Sequence, residues 1–346
     1  MRLLAEYLVA GAGPAGLTVA RLLALRGRSV VVIDPEVEAA ARLELLAPAS
    51  LDTVAALGLM PLLDDPAIAR PCLGIRRRWD SVEPEYEDFL RHPHRTGYVI
   101  DRVCFDQHLR AAAVAAGAEF LEARVSGAEP DGTAVRLAMN DGREETVAFA
   151  GTIIDATGRA AAIARRRGAR ITVRDRMVAE LIEESCIESD VSTPAWLDVQ
   201  RQDGSSWSYQ IRGVGGHAQT WRIRRSGTAD MQQAVRRVDA SANMLSVAAG
   251  EKWIAVGDAA SAFDPVASQG LFNALSSGLT AAGALISADG LSDTNAQLYS
   301  DAVAVAFAWS EAGRANVYGN GVAGWPLNPA AGTTSAGAVR TPAGRA

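Results

Sequence analysis

The residues with the clearest chemical use stand near the start of the chain, in the spacing Gly11-x-Gly13-x-x-Gly16. Gly11 permits a tight turn, Gly13 lets backbone approach a pyrophosphate, and Gly16 allows a helix to pack closely on a strand. With Pro14 and Ala15 between them, the glycines open a helix whose N-terminus offers N–H groups and the positive end of its dipole. A glycine loop alone is weak evidence, and its context decides. Tyr7–Ala10 precedes it as a short buried strand, Leu17–Arg26 follows with helical periodicity, and Ser29–Ile33 is a β-branched run ending at Asp34, where a ribose hydroxyl needs an acceptor. A second element lies near the other end, in Trp253-Ile254-Ala255-Val256-Gly257-Asp258-Ala259-Ala260. A strand ending in Gly-Asp sets a carboxylate, Asp258, over the ribityl chain of a flavin. The helix that follows can stabilise negative charge on a reduced flavin ring. The glycine loop alone does not distinguish NAD from FAD; the two elements together select FAD.

Further elements must position these residues. The periodicity predicts a loop and then a helix over 42–63, strands outside the main sheet within 64–100, a helix over Asp106–Ala116, and strands at Glu119–Val125, Ala134–Met139 and Thr152–Asp155. Leu197–Gln202, Trp207–Arg212 and Gln219–Arg224 alternate in polarity between glycine-rich turns at Gly204 and Gly213–Gly216, which predicts an antiparallel sheet. Helices are expected from about Gly270 to Ile286 and from about Asn295 to Arg314. The composition beyond Tyr318 reads as a disordered tail over 319–346. The expected fold is α/β (α+β): a Rossmann-like FAD-binding domain from residues 1–70, 100–170 and 245–318, with an interleaved antiparallel-sheet substrate domain from 71–99 and 171–244.

Composition excludes several classes. The 346 residues are 49% hydrophobic, which suits a globular chain. A formal net charge of -6 argues against a nucleic-acid binder. Cys72, Cys104 and Cys186 are too scattered for a metal site or a disulfide framework, and His92, His94, His108 and His217 show no ligand spacing, so no metal is expected. No apolar run reaches the roughly 18–20 residues that a membrane span needs, and the N-terminus lacks the pattern of a signal peptide. No membrane partner and a cytoplasmic location are therefore expected.

With these residues in view, the chain resembles the flavin-dependent monooxygenases and halogenases of the para-hydroxybenzoate hydroxylase fold. The resemblance rests on Gly11–Gly16, Asp34, Asp155-Ala156-Thr157-Gly158-Arg159 and Gly257–Gly270. Leu45–Leu59, Gly97–Leu109 and Lys252–Ala274 are similar to one branch, the flavoproteins that mature quinone-cofactor amine oxidases and dehydrogenases. The resemblance implies that Arg42 and Arg102 reach the flavin nucleotide, although both also read as salt-bridge residues. It implies that Val125, Asp155 and Gly158 join the cofactor set, and that Asp264-Pro265 through Gly270 passes beside the isoalloxazine.

For the substrate pocket the candidates are Asp264, Gln269, Trp207 and Tyr209. Trp207-Ser208-Tyr209-Gln210-Ile211-Arg212 lies where halogenases carry Trp-x-Trp-x-Ile-Pro, and the second tryptophan and the proline are absent. Halogenases also need a lysine between flavin and substrate, and the single lysine, Lys252, precedes the second flavin element. Halogenation is therefore not expected. The resemblance implies an FAD-dependent monooxygenase that uses molecular oxygen and NAD(P)H or a separate flavin reductase. Its substrate would be an electron-rich aromatic, such as a tryptophan within an amine oxidase precursor. A natural-product hydroxylase, a geranylgeranyl-type reductase and a non-catalytic maturation partner share the same FAD motifs.

Overall fold

The computed structural model describes residues 5–35, 40–79, 81, 83–129, 134–149, 151–186, 193–202, 206–227, 234–287 and 290–319. The expectations for Gly204 and for the tail over 320–346 lie outside these residues.

Four short apolar runs and one longer strand form a parallel sheet in the order Trp253–Ala255, Thr152–Asp155, Tyr7–Ala10, Val30–Asp34, Glu119–Ala128. Antiparallel strands extend it at both edges: Ala249–Gly250 on one side, the hairpin Ala134–Met139 and Glu144–Ala148 on the other. Strands buried on both faces lack a polar side, so alternate residues enter different cores. Tyr7, Val9, Val30, Val32 and Ile154 pack with the helices Pro14–Ala24, Arg102–Ala115 and Gly270–Ser287. Leu8, Ala10, Val31, Ile33 and Ile153 pack with Ile163 and the hairpin residues Val135 and Val147.

The second large sheet has nine strands. Its main order is Arg236–Asp239, Met177–Cys186, His217–Arg225, Ser206–Arg212, Ala195–Arg201, Ala69–Arg78, Gly97–Asp101, Leu43–Leu46, and Glu85–Asp88 pairs beside Ala69–Arg78. The expected antiparallel sheet is present with one exception: Ala195–Arg201 runs parallel to Ala69–Arg78. Leu43–Leu46, within a stretch read as loop and helix, is a strand of this sheet. Four residues carried no visible period, and their pairing with Gly97–Asp101 is a tertiary effect. A smaller sheet of Ile171–Val173, Asn243–Leu245 and Ser261–Ala262 lies apart from both.

The helix Gly270–Ser287 is long and apolar enough, by length and composition, to cross a membrane, which corrects the sequence expectation. In the fold its Leu271, Leu275, Gly278, Ala281, Ala282 and Leu285 are buried, and it crosses Pro14–Ala24 at close range. A Cβ on Gly278 would stand 2.8 Å from the Ala15 carbonyl oxygen and 2.9 Å from Thr18 Cβ. Gly278→Val should therefore lower the melting temperature by roughly 3–10 °C through overpacking. Gly283→Ala, on the same helix with open space around it, should be neutral or stabilising. Thermal unfolding of the two variants checks this, and equal melting temperatures would refute the packing argument.

Candidate functional site

A trough of linked cavities runs from the carboxyl ends of the parallel strands to the second large sheet. Its first chamber, 380 Å³, is walled by the glycine loop, Asp34, Pro35, Arg124, Val125 and the turn Ala156–Gly158. Gly11 has φ +110°, and a Cβ there would lie 2.3 Å from the Ala156 carbonyl oxygen; one on Gly16 would lie 2.2 Å from the Gly11 oxygen. The turn and the helix can meet only through glycine. Gly13 differs: nothing lies within 4 Å of a Cβ built there, because it faces the trough. Asp34 closes its strand at the chamber wall, and Oδ2 accepts the Ala12 N–H at 2.8 Å, holding the loop from below. Val125 sits at a register shift in its strand, which turns the backbone toward the chamber.

Asp155 is a correction. It is fully buried and does not line the trough. Its Oδ1 accepts from the Thr157 N–H and hydroxyl, and its Oδ2 from the Ile163 and Ala164 N–H groups. It shapes the Ala156–Gly158 turn and caps the helix Ala162–Arg166; Gly158 of that turn lines the trough.

The second chamber, 190 Å³, continues along Gly13–Gly16 to Gly257, Asp258 and Gly270, with Arg42, Glu44 and Arg102 opposite. Here the two expected arginines part company. Arg102 opens the helix Arg102–Ala115, four residues earlier than its periodicity suggested, because Asp101 caps it by accepting the Cys104 N–H. Its guanidinium is bidentate to Asp106, at 3.1 and 2.8 Å, and also donates to Glu44. Burial opposes ionisation of Glu44, but Arg42 and Arg102 outweigh it and hold the carboxyl below its ordinary range. Arg42 is half-exposed and meets Glu44 at 3.6 Å. It is the more available of the two for a phosphate.

Asp258 lines the second chamber and the next one, and burial raises its carboxyl while Arg159, 3.4 Å away, opposes the shift. Arg159 also donates to the Ser241 carbonyl at 2.5 Å. Beyond Asp258 the trough widens to 570 Å³ between Arg42, Arg159, Tyr209, Trp221, Arg236 and Pro265. A side pocket beside it is walled by Leu43, Leu45, Leu197, Val199, Trp207, Tyr209, Ile211, Pro265 and Ser268.

Trp207 and Tyr209 come together at this end, with ring centroids 6.0 Å apart, and Tyr209 stacks on Trp221 at 6.5 Å. Both were expected. Trp221 and Arg159 were not singled out for the pocket, although Trp221 shows in the alternation of its strand. Gln269 is a second correction: it faces a separate cavity of 430 Å³ with Phe263, Phe272 and Trp309, across the turn from Tyr209. Asp264 is buried within that turn, N-caps the short helix Pro265–Ala267, and accepts from the Val266 N–H. Burial pushes its carboxyl up to about 6, against the pull of that N–H, Arg314 and Tyr318. Keeping it ionised costs roughly 3 kcal/mol, at 1.36 kcal/mol per unit. That cost is present above pH 6 and is relieved as pH falls toward the unfolded value. Among the described residues no His, Cys, Asp or Glu cluster could hold a metal.

The residues fit FAD. The trough has glycine where a pyrophosphate must approach, an acid at each ribose-like position, and an aromatic and cationic chamber at its end. Fold and site define an FAD-binding flavoprotein. The FAD binding domain family matches residues 5–201, and the chain belongs to it. A curated relative, digeranylgeranylglycerophospholipid reductase 2 of Methanosphaera stadtmanae, is 33% identical over 118 residues, 34% of this chain and 29% of that protein. Among solved structures, a flavin-dependent halogenase from Xanthomonas campestris superposes with a TM-score of 0.76 at 15% identity, covering 92% of this chain and 78% of the other. The peptidyl tryptophan dihydroxylase QhpG, essential for tryptophylquinone cofactor biogenesis, gives 0.70 at 21% identity, covering 93% and 77%.

Gly13→Val tests the trough. Its φ of -74° suits any residue and its surroundings are open, so the cofactor-free protein should melt as the native does. FAD affinity should fall by roughly tenfold or more, about 1.4 kcal/mol, because the side chain fills the trough. Calorimetric titration with FAD checks it, and unchanged affinity would move the dinucleotide elsewhere.

Proposed function

We propose that the protein is an FAD-dependent monooxygenase that hydroxylates an electron-rich aromatic ring, and that this ring is a tryptophan side chain within a protein, such as an amine oxidase precursor. The observation that carries the reading is the widened end of the trough, where Tyr209, Trp221 and Ile223 offer flat apolar walls beside Arg42, Arg159 and Arg236. An aromatic ring would pack against the walls, and the arginines would meet negative charge developing near the flavin. Bound FAD would supply the redox chemistry, the two-electron activation of molecular oxygen. One oxygen atom enters a ring C–H bond as hydroxyl and the other leaves as water. NAD(P)H or a separate flavin reductase provides the electrons.

The chain's own residues bind, orient and exclude water. Gly11–Gly16 and Arg42 would hold the pyrophosphate, Asp34 a ribose, and Asp258 the ribityl chain. Val125 and Gly158 would border the nucleotide, and Pro265 and Gly270 the ring. Trp207 and Tyr209 close the far wall, and burial raises the Tyr209 hydroxyl above its ordinary range, so it stays protonated as a neutral donor. The likeness in fold to the peptidyl tryptophan dihydroxylase supports a protein-borne ring as substrate.

A second reading, reduction of an isoprenoid alkene, is favoured by the identity to the archaeal lipid reductase. The charged rim of Arg42, Arg159, Arg236, Asp239 and Asp258 suits an isoprenoid chain less well.

The test incubates the FAD-loaded protein, NAD(P)H with and without a flavin reductase, and oxygen, with a candidate oxidase precursor, free aromatics or a geranylgeranyl lipid. A gain of one or two oxygen atoms on a precursor tryptophan is expected. Turnover of a free aromatic alone would sink the protein-borne substrate, and saturation of the lipid would sink hydroxylation. Added chloride or bromide with tryptophan or indole should give no halogenated product by mass spectrometry, since Lys252, the chain's one lysine, stands before the strand Trp253–Ala255. A halogenated product would overturn that expectation.

A further inference from the structure

The last helix, Asp293–Gly319, ends beside Trp207 in the wall of the side pocket and brings polar groups into an apolar region. The Tyr318 hydroxyl is one. Its side chain is buried, with Trp79 5.8 Å away between ring centroids. Its oxygen accepts the Trp207 indole N–H at 3.0 Å and its proton is donated to Asp264 Oδ1 at 3.0 Å. Trp207 walls the side pocket, and Asp264 opens the turn that carries Pro265, Ser268 and Gly270 into the trough. One hydroxyl therefore joins the second sheet, the last helix and the turn.

The chain of hydrogen bonds has a fixed direction. An indole N–H can only donate, so the Tyr318 oxygen must accept at that end. The Tyr318 proton then points at Asp264, which accepts it as a carboxylate along with the Val266 N–H. A proton on Asp264 Oδ2 would leave Oδ1 as an acceptor but would take away the charge that strengthens both bonds, and the chain cannot reverse as a whole because Trp207 cannot accept.

We propose that Tyr318 is a positioning residue: by tying Trp207 to ionised Asp264 it holds the Asp264–Gly270 turn and the pocket wall in one arrangement, and protonation of Asp264 weakens that tie. The groups that face Asp264 are identifiable. From the last helix come Arg314, which favours the carboxylate, and Glu311, which opposes it. Arg314 is itself held by Asp175 at 2.6 Å and by Glu311 at 2.9 Å, and Arg174 approaches Glu311 at 3.9 Å. Across the turn, the ion pair Arg77–Glu87 lines the neighbouring cavity. Burial pushes the Asp264 carboxyl up to about 6, so the charge-assisted tie is present above that pH and weakened as pH falls through it. This inference concerns the chain and its bound FAD, and holds whichever substrate is turned over.

The experiment is a pH titration from 4.5 to 8 of the FAD-loaded protein. It follows the indole N–H resonance of Trp207, assigned by its loss in Trp207→Phe, and the FAD dissociation constant in parallel. The Trp207 signal should move with a midpoint near pH 6, with FAD binding weakening severalfold below it. In Tyr318→Phe the Trp207 signal should stop titrating, and the midpoint in FAD affinity should rise because the carboxylate has lost a donor. Asp264→Asn, which keeps an acceptor oxygen for Tyr318, should abolish both titrations; it carries the test alone if Tyr318→Phe does not fold. A Trp207 signal that is flat in the native protein, or that titrates unchanged in either variant, would overturn the proposal. Neither result would bear on hydroxylation, which product analysis decides separately.

Discussion

Everything at the site depends on one crossing where backbone meets backbone. The N-terminus of the helix Pro14–Ala24 is gripped from three sides: by the Ala156–Gly158 turn, by Gly257 and by the helix Gly270–Ser287. A Cβ on Gly16 would come 2.8 Å from Ala156 Cβ, one on Gly257 2.8 Å from Ala15 Cβ, and one on Gly278 2.8 Å from the Ala15 oxygen. No Cβ fits at Gly16, Gly257 or Gly278. Glycine at these three positions leaves helix N–H groups at the floor of the trough and brings the flavin elements together, although they lie more than two hundred residues apart.

Charge at the trough is handled in the same economical way. Arg102 looks like a phosphate ligand in the sequence, yet it is committed to Glu44 and Asp106. Such a buried cluster gains fixed geometry more than stability, since desolvation consumes much of the attraction. It sets Leu43–Leu46 against the first turn of Arg102–Ala115, and so aims Arg42 into the chamber.

The parts of the fold legible in the sequence were those set by local pattern. Tyr7–Ala10, Thr152–Asp155 and the two long C-terminal helices are buried or periodic enough to read directly. The glycine loop and Gly257-Asp258 read as site elements because their chemistry needs small residues at fixed places. What escaped was settled by tertiary contact. Leu43–Leu46 is a strand only because Gly97–Asp101 pairs with it. Asp155, in a motif that looks like a ligand site, spends all its acceptors on its own turn and helix. Tyr318 stands where the sequence turns to low complexity, and nothing local marks it as a partner of Trp207 and Asp264.

The turn Asp264–Gly270 then acquires a meaning that its sequence alone does not carry. It is a partition, with Pro265, Ser268 and Gly270 facing the trough and Val266, Ala267 and Gln269 facing the cavity beside Trp309. Apolar packing holds this wall at one point, where Val266 enters the core of the second sheet with Trp207 and Tyr318, and cavities flank the rest. It is also held from inside, by a buried carboxylate whose ionisation is costly and whose Oδ1 accepts both the turn's own Val266 N–H and the Tyr318 hydroxyl. A neutral apolar residue at 264 would remove the cost and also the anchor. The costly burial of Asp264 thus comes with two hydrogen bonds that join the wall's own backbone to the last helix.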